Sequence, residues 1–199
     1  MKSNVCKIEK GSRDLAAILA ESERVAEYNG LTHKQSLWLR LLCEEVDGML
    51  PNIIDDFDGE LWIEFEDGVA KVNVSILIPE FNTEKKDELI AVASNKKNAA
   101  AVGIVGKIRN AIENLLLNDE VMDAMSISTS TYALSSGYVD GINHAYLWRL
   151  EEYRLSVKKE DDGEAWDELE KSVIASVADD VVVSVKGKRA QIVIVKKFF

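Results

Sequence analysis

Residues 60–78 read ELWIEFEDGVAKVNVSILI, and their pattern decides the fold. Leu61, Ile63 and Phe65 alternate with Glu60, Glu64 and Glu66, so a strand here turns one apolar face inward and an acidic face outward. Asp67-Gly68 supplies a two-residue hairpin turn, which needs residues tolerant of positive φ, and the chain returns through Val69 to Ile78. Pro79 then ends the pairing, because proline offers no ladder donor. A second hairpin is expected near the C-terminus. There, 181–185 (VVVSV) and 190–195 (AQIVIV) flank the short Gly-containing turn Lys186-Gly187-Lys188-Arg189.

Amphipathic helices precede both hairpins. Ser12 can cap a helix whose Leu15, Ile18, Leu19, Val25 and Ala26 recur at helical spacing, with Asn29-Gly30 closing it. Thr32 and Gln35 have the spacing of a capping box. The run Leu37, Trp38, Leu41, Leu42, Met49 carries this second helix to residue 50, where Pro51 stops it. A leading strand is expected near 5–8. Residues 80–97 are polar and lysine-rich and read as a loop with a short helix at 87–93. Val102, Val105, Ile108, Ile112, Leu115 and Leu116 give 98–117 the apolar stripe of a helix. A Ser/Thr-rich linker at 126–137 leads to a helix over 139–157, and 158–162 is a charged connector. Gly163 precedes a last helix on which Trp166, Leu169, Val173, Ile174 and Val177 share a face. Because hairpins force antiparallel neighbours, the helices are expected on one face of a largely antiparallel mixed sheet. The fold class is therefore α/β, a two-layer sandwich formed by one domain over 1–199, with a helical insertion at 80–159 between the hairpin halves.

The chain has 199 residues and 47% hydrophobic content, enough for one sizeable core. Its 35 acidic and 24 basic residues give a formal net charge of -11, which repels nucleic-acid phosphates and anionic membranes. Neither is an expected partner. Cys6 and Cys43 lack the paired spacing of a zinc site or a disulfide framework and read as reduced, buried thiols. Residues 1–10 alternate charge with apolar residues, unlike a signal peptide, and no run of about eighteen apolar residues suggests a membrane span. A cytoplasmic location is expected.

The layout resembles the GHKL ATPase superfamily, closest to the anti-sigma-factor serine kinases of bacteria. GLTHKQSLWLRLLCEE (30–45) and GELWIEF (59–65) resemble the family's second helix and following strand, and 167–197 its final helix and hairpin. The resemblance implies ATP and magnesium as cofactors. In the family the second helix carries a Glu that activates the attacking group and, four residues later, an Asn that holds magnesium, so positioning and electrostatics supply the catalysis. Here CEEVDGML (43–50) places Glu44 at the Glu, the implied catalytic residue, and Gly48 at the Asn. Gly48 cannot coordinate a metal, and Asp47 lies about 100° away around the helix. ILIPEFNTEKK (76–86) has no counterpart of the family's Asp-x-Gly-x-Gly adenine loop. Of the Gly-rich phosphate turn only Gly163 in DDGEAW (161–166) remains, the implied cofactor-binding position, and Asp161 and Asp162 before it repel a triphosphate.

What the resemblance implies is a cytoplasmic regulatory protein of anti-sigma type, a pseudoenzyme that binds a protein partner, with ATP binding weak or lost. A homodimer fits the same scaffold. Two alternatives stay open: an active ATP-dependent protein serine kinase using Glu44, and an α/β domain unrelated to GHKL proteins. Gly103, Gly106 and Lys107 in AVGIVGKI superficially match a phosphate loop, but the glycines are three apart and Ile108 replaces the hydroxyl, which suits helix packing. His33 and His144 have no metal-ligand partner at helical spacing. STSTYALSSG (128–137) reads as a polar linker rich in hydroxyls a kinase could modify. Tyr146, Trp148 and Tyr153 suit core burial or, less well, a partner-binding face, while Phe198 and Phe199 can cover the sheet or bind a partner.

Overall fold

The structure, a computed structural model, describes residues 1–54, 57–78, 103–125, 147–160 and 162–199. Seven strands form one sheet: β1 (Cys6–Glu9), β2 (Ser12–Arg13), β3 (Asp58–Glu66), β4 (Val69–Leu77), β5 (Leu147–Arg149), β6 (Asp180–Lys186) and β7 (Arg189–Lys197). Their spatial order is β2-β1-β3-β4-β7-β6-β5, and all six pairings of the described strands are antiparallel. The sandwich expected from the sequence is the fold observed.

Both hairpins form as their turn residues dictate. Asp67 (φ 49°) and Gly68 (φ 76°) both adopt positive φ, the geometry that matches strand twist in a two-residue turn. At the second turn Gly187 (φ 59°) does so alone. The hairpins then join along β4 and β7, from Val69 opposite Lys197 to Leu77 opposite Arg189.

Alternation decides what the sheet buries. Leu61, Ile63, Val72, Val74, Ile76, Val181, Val183, Ile192 and Ile194 all point to one side and are at most 1% exposed. Among the described residues, the helices on that side are α1 (Leu15–Tyr28), α2 (His33–Ile53), α3 (Gly103–Met125), α4 (Leu150–Glu160), α5 (Gly163–Lys171) and α6 (Val173–Val177). α1 packs against α2 over β3, α3 lies over β6, and α6 joins α2 to α5. From the segment between the hairpins, Ile104, Ile108, Ile112, Leu150 and Val157 belong to the same core. No helix among the described residues is long and apolar enough to cross a membrane.

Local competition moves several boundaries. Ser12 does not cap α1. It pairs with Glu9 in β2, and Asp14 takes the cap, its carboxylate accepting from the Ala17 amide at 3.0 Å. Pro51 does not stop α2 at residue 50. In the last turn a proline forfeits only its own donor, so Ile54 still donates to the Leu50 carbonyl (3.1 Å) and Ile53 is buried. Residues 147–149, read as helix, form strand β5 against β6, whereas 158–160, read as connector, complete α4. The final helix is two: Ser172 ends α5 and its hydroxyl caps α6 by accepting from the Ala175 amide. Asn29-Gly30 closes α1, and the Thr32–Gln35 capping box is present. The expectations for Pro79, 80–97, 126–137 and 139–146 lie outside the described residues.

Two glycines separate packing from propensity. A Cβ on Gly59 would sit 2.5 Å from the Ser75 carbonyl oxygen and 3.2 Å from the Ile76 Cα, both backbone atoms. One on Gly48, exposed in α2, would meet nothing within 4 Å. Gly59→Ala is expected to destabilise the fold by about 3 kcal/mol in urea unfolding, whereas Gly48→Ala stabilises it by up to about 1 kcal/mol. Equal effects would contradict this packing.

Candidate functional site

The residues that the GHKL resemblance singles out lie on α2 and α5. The capping box fixes the start of α2: the Thr32 amide donates to Gln35 Oε1 at 2.9 Å, and Gln35 donates back to Thr32 Oγ1 at 3.4 Å. Leu39, Leu42, Cys43, Val46 and Leu50 then turn toward the sheet and are fully buried. Arg40, Glu44 and Gly48 follow one another turn by turn along a less buried stripe.

Glu44 is half-buried, and its Oε1 accepts from Arg40 Nε at 3.2 Å. Arg40 also donates to Glu23 of α1, so Glu44 is drawn toward the α1 side of the helix. Gly163 is the first residue of α5, which packs on α3, α4 and α6. α6 packs against both α2, which carries Glu44, and α5, which Gly163 opens.

The N-terminus of α5 has its own anion. Asp162 is the N-cap, with its Oδ1 accepting from the Ala165 amide at 3.1 Å and its carbonyl from the Trp166 amide at 3.0 Å. A helix start that could receive phosphate therefore holds a carboxylate of the chain itself. The same holds at Gly103, where the amide donates to Glu168 Oε2 at 3.1 Å. Gly103 opens α3 with φ 77° and Gly106 is buried in its first turn, a packing arrangement rather than a phosphate loop.

Among the described residues, those at the positions the resemblance assigns to magnesium do not fit it. Gly48 has no ligand to offer, Asp47 is 6% exposed, and no group of three or more His, Cys, Asp or Glu able to hold a metal occurs among the described residues. His33 is exposed at the start of α2, and His144 lies outside the described residues.

The residues that organise this region went unread in the sequence. Trp38 lies between two ammonium groups, Lys34 at 4.9 Å and Lys196 at 5.1 Å from its ring centre. The Lys196 contact ties α2 to β7, and Lys196 also pairs with Asp179, just before β6, at 3.3 Å. Asp180, 7% exposed, accepts from Arg149 Nε (2.9 Å) and from the Glu151 and Val181 amides, and this carboxylate raises the Arg149 guanidinium pKa. Arg154 donates to the Ala175, Ala178 and Asp179 carbonyls, closing the C-terminal end of α6. Only Asp162, three residues before Ala165, hinted at the cap on α5. The rest depends on strand register. Of the aromatic candidates, Trp148 and Tyr153 pack together with rings 6.1 Å apart, and Phe198 stacks on Phe65 while Phe199 is exposed. Tyr146 lies outside the described residues.

Both cysteines are free, Cys43 buried and Cys6 half-buried. Burial, helped by Cys6 and Glu44, pushes the Cys43 thiol up to about 12, and burial with Glu21 and Asp14 nearby raises Cys6. A raised thiol pKa stabilises the fold below the ordinary value of 9.0, and that stability is lost as pH climbs toward about 12. Stability should therefore fall between these pH values, and Cys43→Val should flatten the fall. In native protein at neutral pH, Cys43 is expected to resist iodoacetamide and to react only on unfolding. Rapid native labelling of Cys43 would contradict its placement.

A scan of protein-family models, a search of curated proteins and a search of solved structures each returned no match.

Proposed function

We propose that the chain is a regulatory protein of anti-sigma type with GHKL-like ancestry, which acts by binding a protein partner and has weak or lost ATP binding. The observation carrying this reading is the carboxylate of Asp162 on the α5 amides, where the resemblance requires phosphate. Glu44 engaged by Arg40 and Gly48 without a side chain point the same way. α5 also supplies a surface suited to a partner. Trp166 is 41% exposed and donates to Glu170 at 2.9 Å, with Glu164 and Asp167 exposed beside it. An aromatic anchor within an acidic rim suits a basic protein surface, as does the net charge of -11.

Calorimetric titration with ATP and magnesium is expected to show no binding tighter than about 1 mM. Micromolar binding that Glu44→Ala abolishes would overturn the reading in favour of an active serine kinase. For the partner, affinity capture with the full chain should retain a basic protein that Trp166→Ala and Asp167→Lys both release. Capture unchanged by both substitutions would remove α5 from the proposal.

A further inference from the structure

The face of the sheet turned away from the described helices carries an ordered charge pattern. Strand register sorts its residues into rows. One row runs Asp58, Leu77, Arg189, Lys186, a second runs Glu66, Val69, Lys197, and between them lies Trp62, Asn73, Val193, Val182. On β1, Glu9 extends the first row beyond Asp58. β4 is the middle strand of the seven. Glu60 and Glu64 of β3 stand opposite the neutral Gln191 and Val195, and Lys7 of β1 opposite Ser184, but three acids have bases at the mirror position across β4: Asp58 and Arg189, Glu66 and Lys197 one strand away, Glu9 and Lys186 two strands away. All six are exposed.

We infer that this face is the interface of a homodimer whose two-fold axis runs parallel to β4. Rotation about that axis lays each position over its mirror column in the second copy. Asp58 then meets Arg189, Glu66 meets Lys197 and Glu9 meets Lys186, each pair occurring twice. An axis across the strands would instead set acid on acid and base on base, so the charge pattern selects one arrangement.

The apolar residues fit the same operation. Trp62 and Val193 are half-buried and lie opposite each other across the axis, while Leu77, 42% exposed on β4, meets its own copy. Lys71 also meets itself, with Glu64 of each copy beside it to balance the charge. Three nine-residue strands, with seven-residue β6 and four-residue β1 outside them, give a face of about 600 Å², somewhat below the roughly 800 Å² per partner of a standard interface. Aligned sheet packing at about 30° follows from ordinary strand twist and keeps the columns nearest the axis in contact. The inference rests on sheet register and is independent of the fate of ATP or of the α5 surface.

A charge-exchange experiment tests it. Sedimentation of the full chain at about 50 µM should give twice the 22.2-kDa chain mass. One variant carries Asp58→Arg with Glu66→Lys, the other Arg189→Asp with Lys197→Glu. Each alone should sediment as a monomer with the wild-type far-UV circular dichroism spectrum. An equimolar mixture should restore the dimer, because every opposed pair again joins unlike charges. A monomeric wild type, a face occupied by some other protein, a dimer indifferent to both variants, or a mixture of folded variants that stays monomeric would each overturn the inference.

Discussion

The ladder between β4 and β7 is the contact on which the remaining structure depends. It joins two hairpins that lie far apart in the chain, and its nine paired positions hold them in one register. That register decides which side chains reach the helices, because a slip of one residue would exchange the two faces of a whole strand. Val72, Val74 and Ile76 stay inward only while Ile194, Ile192 and Ala190 stand opposite them. Such a ladder brings its closure entropy with it. The chain between the hairpins must be drawn in before the ladder rewards it, and Ile108 and Leu150 in the common core are what draw it in.

Legibility followed from how local the determinants were. The first hairpin was readable because strict alternation and Asp67-Gly68 are both signals within a few residues. The capping box of α2 was readable for the same reason. Ser12 and Pro51 were misread because each position admits two local outcomes. Ser12 could cap or pair, and β1 recruited it. Pro51 could stop the helix, but burial of Ile53 favours one more turn. Leu147–Arg149 reads as helix in isolation and becomes a strand because β6 offers an edge and Asp180 a carboxylate for Arg149. The candidate site was legible as a set of positions on helices. Its geometry was not, since nothing near Glu44 announces that Arg40 ties it to Glu23.

A common electrostatic habit runs through the helical layer. Asp14 at α1, Asp162 at α5 and Glu168 at α3 each place a carboxylate on helix-start amides, and Arg154 reaches carbonyls at the far end of α6. Each pairing answers backbone groups that a helix terminus leaves unsatisfied. A strongly acidic chain thus spends part of its acidity on its own amides. The helix starts are thereby closed to an external phosphate, and the carboxylates left over face solvent.

Those remaining charges divide between the two faces of the sandwich, and the division bears on how the protein can act. Around Trp166, the exposed Glu164, Asp167 and Glu170 make this face of α5 acidic, which suits a partner of opposite charge. On the sheet side, Asp58, Glu66 and Glu9 have bases at their mirror positions about β4, which suits a copy of itself. A surface that is complementary to itself gains nothing by attracting a basic stranger, whose charge would meet Arg189 and Lys197 as well as Asp58. The two surfaces lie on opposite layers, so occupying one does not obstruct the other. Pairing through the sheets turns both helical layers outward and presents α5 twice. A partner with two basic sites, or two partners on one scaffold, would then bind with the gain in effective concentration that multivalency brings.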